Sequence, residues 1–63
     1  MRFREVKKAL EAAGWVEQPG GKSGHRHFRH PSSPVKVTVP CHPGDLNPIT
    51  LRNIEKQSGV ALR

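Results

Sequence analysis

The strictest constraint on the fold is the alternation of apolar and polar residues in the segment Val35-Lys36-Val37-Thr38-Val39. Successive side chains of a β-strand point to opposite faces of a sheet, so a period of two predicts a strand with one buried face. We expect the three valines to enter the core and Lys36 and Thr38 to lie on the opposite, open face. Such a strand needs partner strands and a covering layer.

A helix is predicted before the strands. Apolar residues recur at helical spacing in the range 3–13, and Gly14 follows where a left-handed residue would end the helix. Lys7 and Glu11 are expected to pair on its surface at i, i+4. The apolar stripe comprises Phe3, Val6, Leu10 and Ala13, with Ala9 and Ala12 beside it.

A second helix is predicted near the end of the chain. Asn47 is a good N-cap, Pro48 suits the first helical position, and Gly59 suits the end. Leu51 and Ile54 form its apolar stripe, with Ile49 as a further candidate, and Val60 and Leu62 are expected to fold back onto the core.

Two more strands are predicted between the helices. Trp15–Gln18 is strand-like in composition, and the turn Pro19–Lys22 contains two glycines that allow a hairpin into the next strand. That strand contains three of the four histidines. Alternation predicts an open face with His25, His27 and Arg29 and a covered face with Arg26, Phe28 and His30.

The predicted order of elements is α-β-β-β-α. A three-stranded antiparallel sheet with both helices on one face buries the apolar positions, which makes the fold α+β and similar to double-stranded-RNA-binding domains. A chain of 63 residues is enough for one domain, so residues 1–63 are expected to form a single domain. Its core is expected to include Phe3, Leu10, Phe28, Val37 and Leu51.

The charge balance favours a polyanionic partner. Eleven Lys+Arg against five Asp+Glu give a net charge of +6, which suits RNA, DNA or an acidic protein. Apolar stretches are too short for a membrane span, and no signal peptide is expected. The single cysteine fits a reducing cytoplasm.

Four short motifs occur in order along the chain, and together they resemble the HicA-type, or YcfA-like, toxins of toxin–antitoxin pairs. They are Gly14-Trp15, the segment Ser23-Gly24-His25-Arg26-His27-Phe28, the segment Thr38-Val39-Pro40-Cys41-His42, and the closing segment Thr50–Gly59. The resemblance implies a small ribonuclease that cleaves mRNA without a metal or other cofactor. It also implies inhibition by a HicB-like antitoxin, with a monomer when free and a hetero-oligomer in the complex. The family's catalytic histidine matches His25.

Three positions depart from the family pattern. The usual Gly-Ser is inverted to Ser23-Gly24, which affects the backbone just before His25. The loop after His42, which often contains lysine, reads Pro43–Asp45, and Ile49 replaces a glycine.

Metal-free RNA cleavage requires a base for the 2′-hydroxyl and an acid for the leaving 5′-oxygen. Histidine suits both roles, and cations must offset charge at phosphorus. The sequence does not assign His25 to either role, and the candidate partners are His27 and His42. Taken singly, His27, His30 and His42 each fit a structural or solvated role better than a catalytic one. The predicted RNA-binding residues are Lys22, Arg26, His27, Arg29 and Lys36, although Arg26 reaches the open face only if a bulge interrupts the alternation.

Other functions are compatible with the same residues. A zinc site would draw on His25, His27, His30, Cys41 and His42, whose spacing is poor. A Cys41 nucleophile lacks an orienting partner. The main alternative is a non-catalytic RNA-binding module with a basic sheet face, and a third is a fragment that only binds another protein.

Overall fold

The computed structural model describes residues 1–19, 24–41 and 44–62. In chain order the elements are α1 (Phe3–Ala12), β1 (Val16–Glu17), β2 (His25–Arg29), β3 (Val37–Pro40) and α2 (Pro48–Ser58). The predicted α-β-β-β-α order and the α+β class are confirmed. Of the predicted turn at residues 19–22, only Pro19 is among the described residues.

The three strands form an antiparallel sheet in the order β1-β2-β3. Arg29 lies opposite Val16, and Phe28 lies opposite both Glu17 in β1 and Val37 in β3. The pairing between β2 and β3 continues without interruption to His25, which lies opposite Pro40. Because the register is regular, the residues of β2 alternate strictly between the two faces.

One face of the sheet is covered by both helices, as predicted. Phe28, Val37 and Val39 are fully buried there, against Val6 and Leu10 of α1 and against Ile54 of α2. Trp15, Leu46 and Leu62 complete the buried set. Phe3 and Leu51, expected in the core, are only partly buried at its margin.

The predicted burial of alternate residues in β3 is confirmed except at the start of the pattern. Val35 was expected in the core, but its exposed fraction is 53% and β3 begins at Val37. The Ser33 hydroxyl accepts a hydrogen bond from the Val35 N–H and donates one to the Val35 carbonyl. Val35 therefore belongs to the local turn after Pro34 and does not reach the sheet.

α1 and β1 are each shorter than predicted. Ala13 is the C-cap of α1 and is exposed, as is Ala12, so neither extends the apolar stripe. Gly14 has a φ of 97°, the left-handed conformation expected after the helix end. Trp15 is buried but is not part of β1, which begins at Val16.

α2 begins and ends where the sequence predicts. The Asn47 side chain accepts a hydrogen bond from the Ile49 N–H at 2.7 Å, and Gly59 ends the helix with a φ of 73°. Ile49 is 69% exposed, so the candidate extension of the stripe is wrong. Leu62 folds back onto the core as expected, and its N–H donates to the Glu55 carboxylate at 2.8 Å.

Candidate nucleic-acid interface

The sheet face opposite the helices carries the chemistry-bearing side chains of β2. His25 and Arg29 are exposed there, and His27 lies between them and is half-buried. The alternation predicted from Phe28 is therefore confirmed. We call the residues of this surface, which are His25, His27, Arg29 and their cross-strand neighbours Val16, Thr38 and Pro40, the open face.

His25 lies at the first position of β2, directly after a glycine with a left-handed backbone. Gly24 has a φ of 83°, and its carbonyl accepts a hydrogen bond from the Cys41 N–H at 2.7 Å. Glycine adopts this conformation without the steric penalty that a Cβ brings. The inverted Ser23-Gly24 order thus places glycine at the position whose backbone requires it, and the strand end that holds His25 is fixed by pairing.

His27 is oriented by the neighbouring strand. Its Nδ1 and the Thr38 Oγ1 share a hydrogen bond of 2.9 Å between residues that lie opposite each other in the register. A hydroxyl can donate or accept, so the contact is compatible with either protonation state of the ring. This contact involves Nδ1 alone, and Nε2 is the second polar atom of the ring.

The predicted cationic residues are divided between the two faces. Arg29 is on the open face opposite Val16, and Lys36 is exposed one residue before β3 begins. Lys22, another of the four predicted cations, lies outside the described residues, as does His42.

Arg26 lies on the helix-covered side, because no bulge interrupts β2. Its guanidinium donates to the Glu17 carboxylate at 2.7 Å, and the ammonium of Lys7 is 3.0 Å from the other carboxylate oxygen. Lys7 therefore pairs across to β1, whereas the sequence predicted Glu11 as its partner. The condition under which Arg26 would reach the open face is not met in the described strand.

These ion pairs shift the ionisation of all three groups. Hydrogen bonding from Lys7, and then from Arg26, holds the pKa of Glu17 below its ordinary value despite the opposing effect of burial. The same carboxylate raises the pKa of Lys7 and of Arg26 through a hydrogen bond and through its charge. All three groups are thus held in their charged forms near neutral pH.

His30 has a structural role on the covered face of the sheet. Its Nδ1 accepts a hydrogen bond from the Ser32 N–H at 3.0 Å, and its Nε2 donates to the Ala13 carbonyl at 3.1 Å. The ring lies 5.3 Å from the Trp15 ring, centroid to centroid, at an angle of 58°. Because His30 is on the covered face, it cannot join His25 and His27 around one ion.

Of the five candidate zinc ligands, His42 lies outside the described residues, and the other four do not converge. Among residues 1–19, 24–41 and 44–62, no group of three or more His, Cys, Asp or Glu side chains is arranged to hold a metal ion. Cys41 is a free, half-buried thiol at the end of β3.

Sequence reasoning missed two contacts near the site. Thr38 was expected on the open face, but nothing in the sequence assigns it to His27, because the register depends on the path of residues 30–36. No role is predicted for Glu17, although it is the only acidic residue in the predicted strands, whose other charged residues are Arg26, Arg29 and Lys36. An isolated carboxylate in a basic sheet is the signal that would have indicated an ion pair.

Comparison with known proteins identifies the family. The family model described as the HicA toxin of bacterial toxin–antitoxin systems matches residues 3–60. A comparison with curated protein sequences finds no significant match. Within the described ranges, neither helix has the length and hydropathy that a membrane crossing requires. The match extends from the first residue of α1 to the segment after α2 and includes all of the open face, so the chain belongs to the HicA family and is the toxin of a toxin–antitoxin system, whose partner is an antitoxin.

Proposed function

We propose that this toxin is an endoribonuclease that cleaves mRNA in the cytoplasm without a metal ion, and that His25 transfers a proton in the reaction. The single observation that supports it is the exposure of His25 at the fixed end of β2, beside His27 and Arg29 on a sheet face that the helices leave uncovered. Imidazole titrates near neutral pH, so it suits proton transfer to or from RNA oxygens.

The reaction uses the RNA's own 2′-hydroxyl as the nucleophile. A base takes the hydroxyl proton while the 2′-oxygen bonds to phosphorus, and the bond from phosphorus to the 5′-oxygen breaks as that oxygen takes a proton from an acid. The products are a 2′,3′-cyclic phosphate and a 5′-hydroxyl. Arg29 and Lys36 are the proposed phosphate contacts, together with Lys22, which precedes β2 in the sequence, because cations stabilise the charge on the transferring group.

Arg26 has a different proposed role. Its guanidinium is held by Glu17 on the covered side, so we assign it to the support of β2 rather than to direct contact with phosphate on the open face.

The test is RNA cleavage by the purified His25→Ala variant. We expect it to fold and bind RNA like the parent and to cleave at least ~10²-fold more slowly, which is the lower range for loss of a general acid or base. Val35→Ala is the control, since Val35 is exposed in a turn away from the described sheet. End-group analysis of the parent's products should find the cyclic phosphate.

Two outcomes would contradict the proposal. A folded His25→Ala protein that cleaves at the parental rate would move the activity to another residue. A parent that binds RNA but does not cleave it would establish the non-catalytic binding module instead.

We further propose that the antitoxin is HicB-like and covers the open face, and that residues 1–63 act as one HicA-like domain that is a monomer until it binds. A basic surface favours an acidic cover, so the complex should weaken as salt rises and should not cleave RNA. Light scattering of the free and bound toxin measures both states. A complex that still cleaves would place the antitoxin elsewhere.

A further inference from the structure

We propose that His27, oriented by Thr38, is the second proton-transfer residue of the reaction, so that His25 and His27 form an acid–base pair along one strand. The inference rests on the proposed ribonuclease activity, which requires two proton transfers. It assigns a catalytic role to His27 and a positioning role to Thr38.

The spacing of the two histidines suits the reaction. They are two residues apart on the same face of β2, which separates their Cα atoms by about 6.5–7 Å. An acid and a base that act on two oxygens of one phosphorus atom each need to come within about 2.6–3.2 Å of their oxygen. Two imidazoles at this separation can hold a single phosphodiester between them.

The hydrogen bond from His27 to Thr38 is of a kind that permits proton cycling. Nδ1 of the ring lies 2.9 Å from the Thr38 hydroxyl, which accepts a hydrogen bond when Nδ1 carries its hydrogen. Nδ1–H donates to that hydroxyl in both the imidazolium and the neutral ring, so the ring keeps its orientation while Nε2 gains or loses the proton. Half-burial of the side chain limits its other orientations.

The surroundings of His27 favour an anionic substrate. On its own strand the neighbours on the open face are His25 and Arg29, and across from it β3 presents Thr38. On the other side, the Gln18 N–H of the segment after β1 donates to the His27 carbonyl at 2.8 Å. None of these four neighbours is a carboxylate that would compete with phosphate for the imidazolium.

The experiment compares two forms of one RNA oligonucleotide that the parent cleaves, with either oxygen or sulfur as the bridging 5′ atom at the scissile phosphate. A thiolate leaves without being protonated, so the sulfur substrate bypasses the acid but still needs the base. The variants are His25→Ala, His27→Ala and His27→Asn, which keeps a polar group near the position of Nδ1. Circular dichroism melts identify variants that remain folded.

On the oxygen substrate we expect each histidine variant to be slower than the parent by at least ~10²-fold. On the sulfur substrate one of the two positions should recover a rate near the parent's, which identifies the acid, and the other should stay slow, which identifies the base. The pH–rate profile of the parent should have two limbs, one of which disappears in His27→Asn.

Thr38 provides the positioning test. Thr38→Val removes the anchor but keeps the shape, so we expect a roughly 10-fold loss of rate from misorientation of the ring. Thr38→Ser should restore the rate, because it restores the hydroxyl.

A folded His27→Asn protein that cleaves the oxygen substrate at the parental rate would overturn the inference, and a slow His25→Ala protein in the same assay would leave the proposed ribonuclease activity intact. Failure of both positions to recover on the sulfur substrate would also overturn the acid–base pair. If no RNA oligonucleotide is cleaved by the parent, the proposed function itself fails.

Discussion

His27 and His30 lie three residues apart on opposite faces of the sheet, and their hydrogen bonds differ in kind. His30 accepts from one backbone N–H and donates to one backbone carbonyl, and neither partner can reverse its role. These two partners place a hydrogen of the ring on Nε2 and a lone pair on Nδ1. His27 faces a hydroxyl, which adapts to either form of the ring.

This difference explains how one short His-rich strand serves both structure and chemistry. On the covered face the histidine joins the end of α1 to the end of β2 and contacts Trp15. On the open face the histidines face solvent, cations and a hydroxyl. The residue type is the same, and what differs is the partners of the ring nitrogens: two backbone groups for His30 and one side-chain hydroxyl for His27.

The first prediction compares the two sheet faces by the stability that is lost when one side chain on each is truncated. Val37 is fully buried and Lys36, its neighbour in sequence, is exposed. Val37→Ala should lower the free energy of unfolding by about 1–3 kcal/mol, because it removes buried apolar surface and leaves a cavity. Lys36→Ala should lower it by less than about 0.5 kcal/mol. Urea denaturation measures both, and the reverse order would invert the assignment of the faces.

The next prediction tests the structural role of His30. A Cβ added at Gly14, whose φ is 97°, would lie 2.9 Å from His30 Nε2, whereas one added at Gly59, whose φ is 73°, meets nothing within 4 Å. Either glycine-to-alanine change should lower the free energy of unfolding by about 1–2 kcal/mol through the left-handed backbone. Gly14→Ala should lower it by about 1 kcal/mol more, because the His30 ring must move from its hydrogen bonds. If thermal melts show the same loss of stability for Gly14→Ala and Gly59→Ala, the contact between position 14 and the His30 ring is unimportant.

The sequence predicted most of this division because strand periodicity and one large apolar residue, Phe28, determine which side chains face the core. The prediction is wrong at Val35, whose backbone N–H and carbonyl both form hydrogen bonds with the Ser33 hydroxyl in a turn before the strand begins. It also could not identify the partner of His27. Periodicity gives the face on which a residue lies, whereas the register between strands depends on loop paths that no local pattern encodes.

The smallest predicted effect concerns the Glu17 ion pairs. The pKa of Glu17 is lowered in the folded protein, so its contribution to stability is complete above its ordinary value of about 4.5 and is lost as the pH falls through the lowered value. Glu17→Gln should therefore be less stable than the parent at pH 7, and the difference should shrink as the pH falls below 4.5. Denaturation midpoints across that pH range measure it. A constant difference would exclude the carboxylate charge as its cause.

The central claim is that RNA binds the open face, and it is tested most directly by NMR. A 2′-O-methyl RNA lacks the nucleophilic hydroxyl, so it forms a complex that cannot be cleaved. Titration of the isotope-labelled toxin with this RNA should shift the amide and ring signals of His25, His27 and Arg29 most, and those of His30 and Trp15 least. Largest shifts at His30 and Trp15, with His25 and His27 unaffected, would contradict the account.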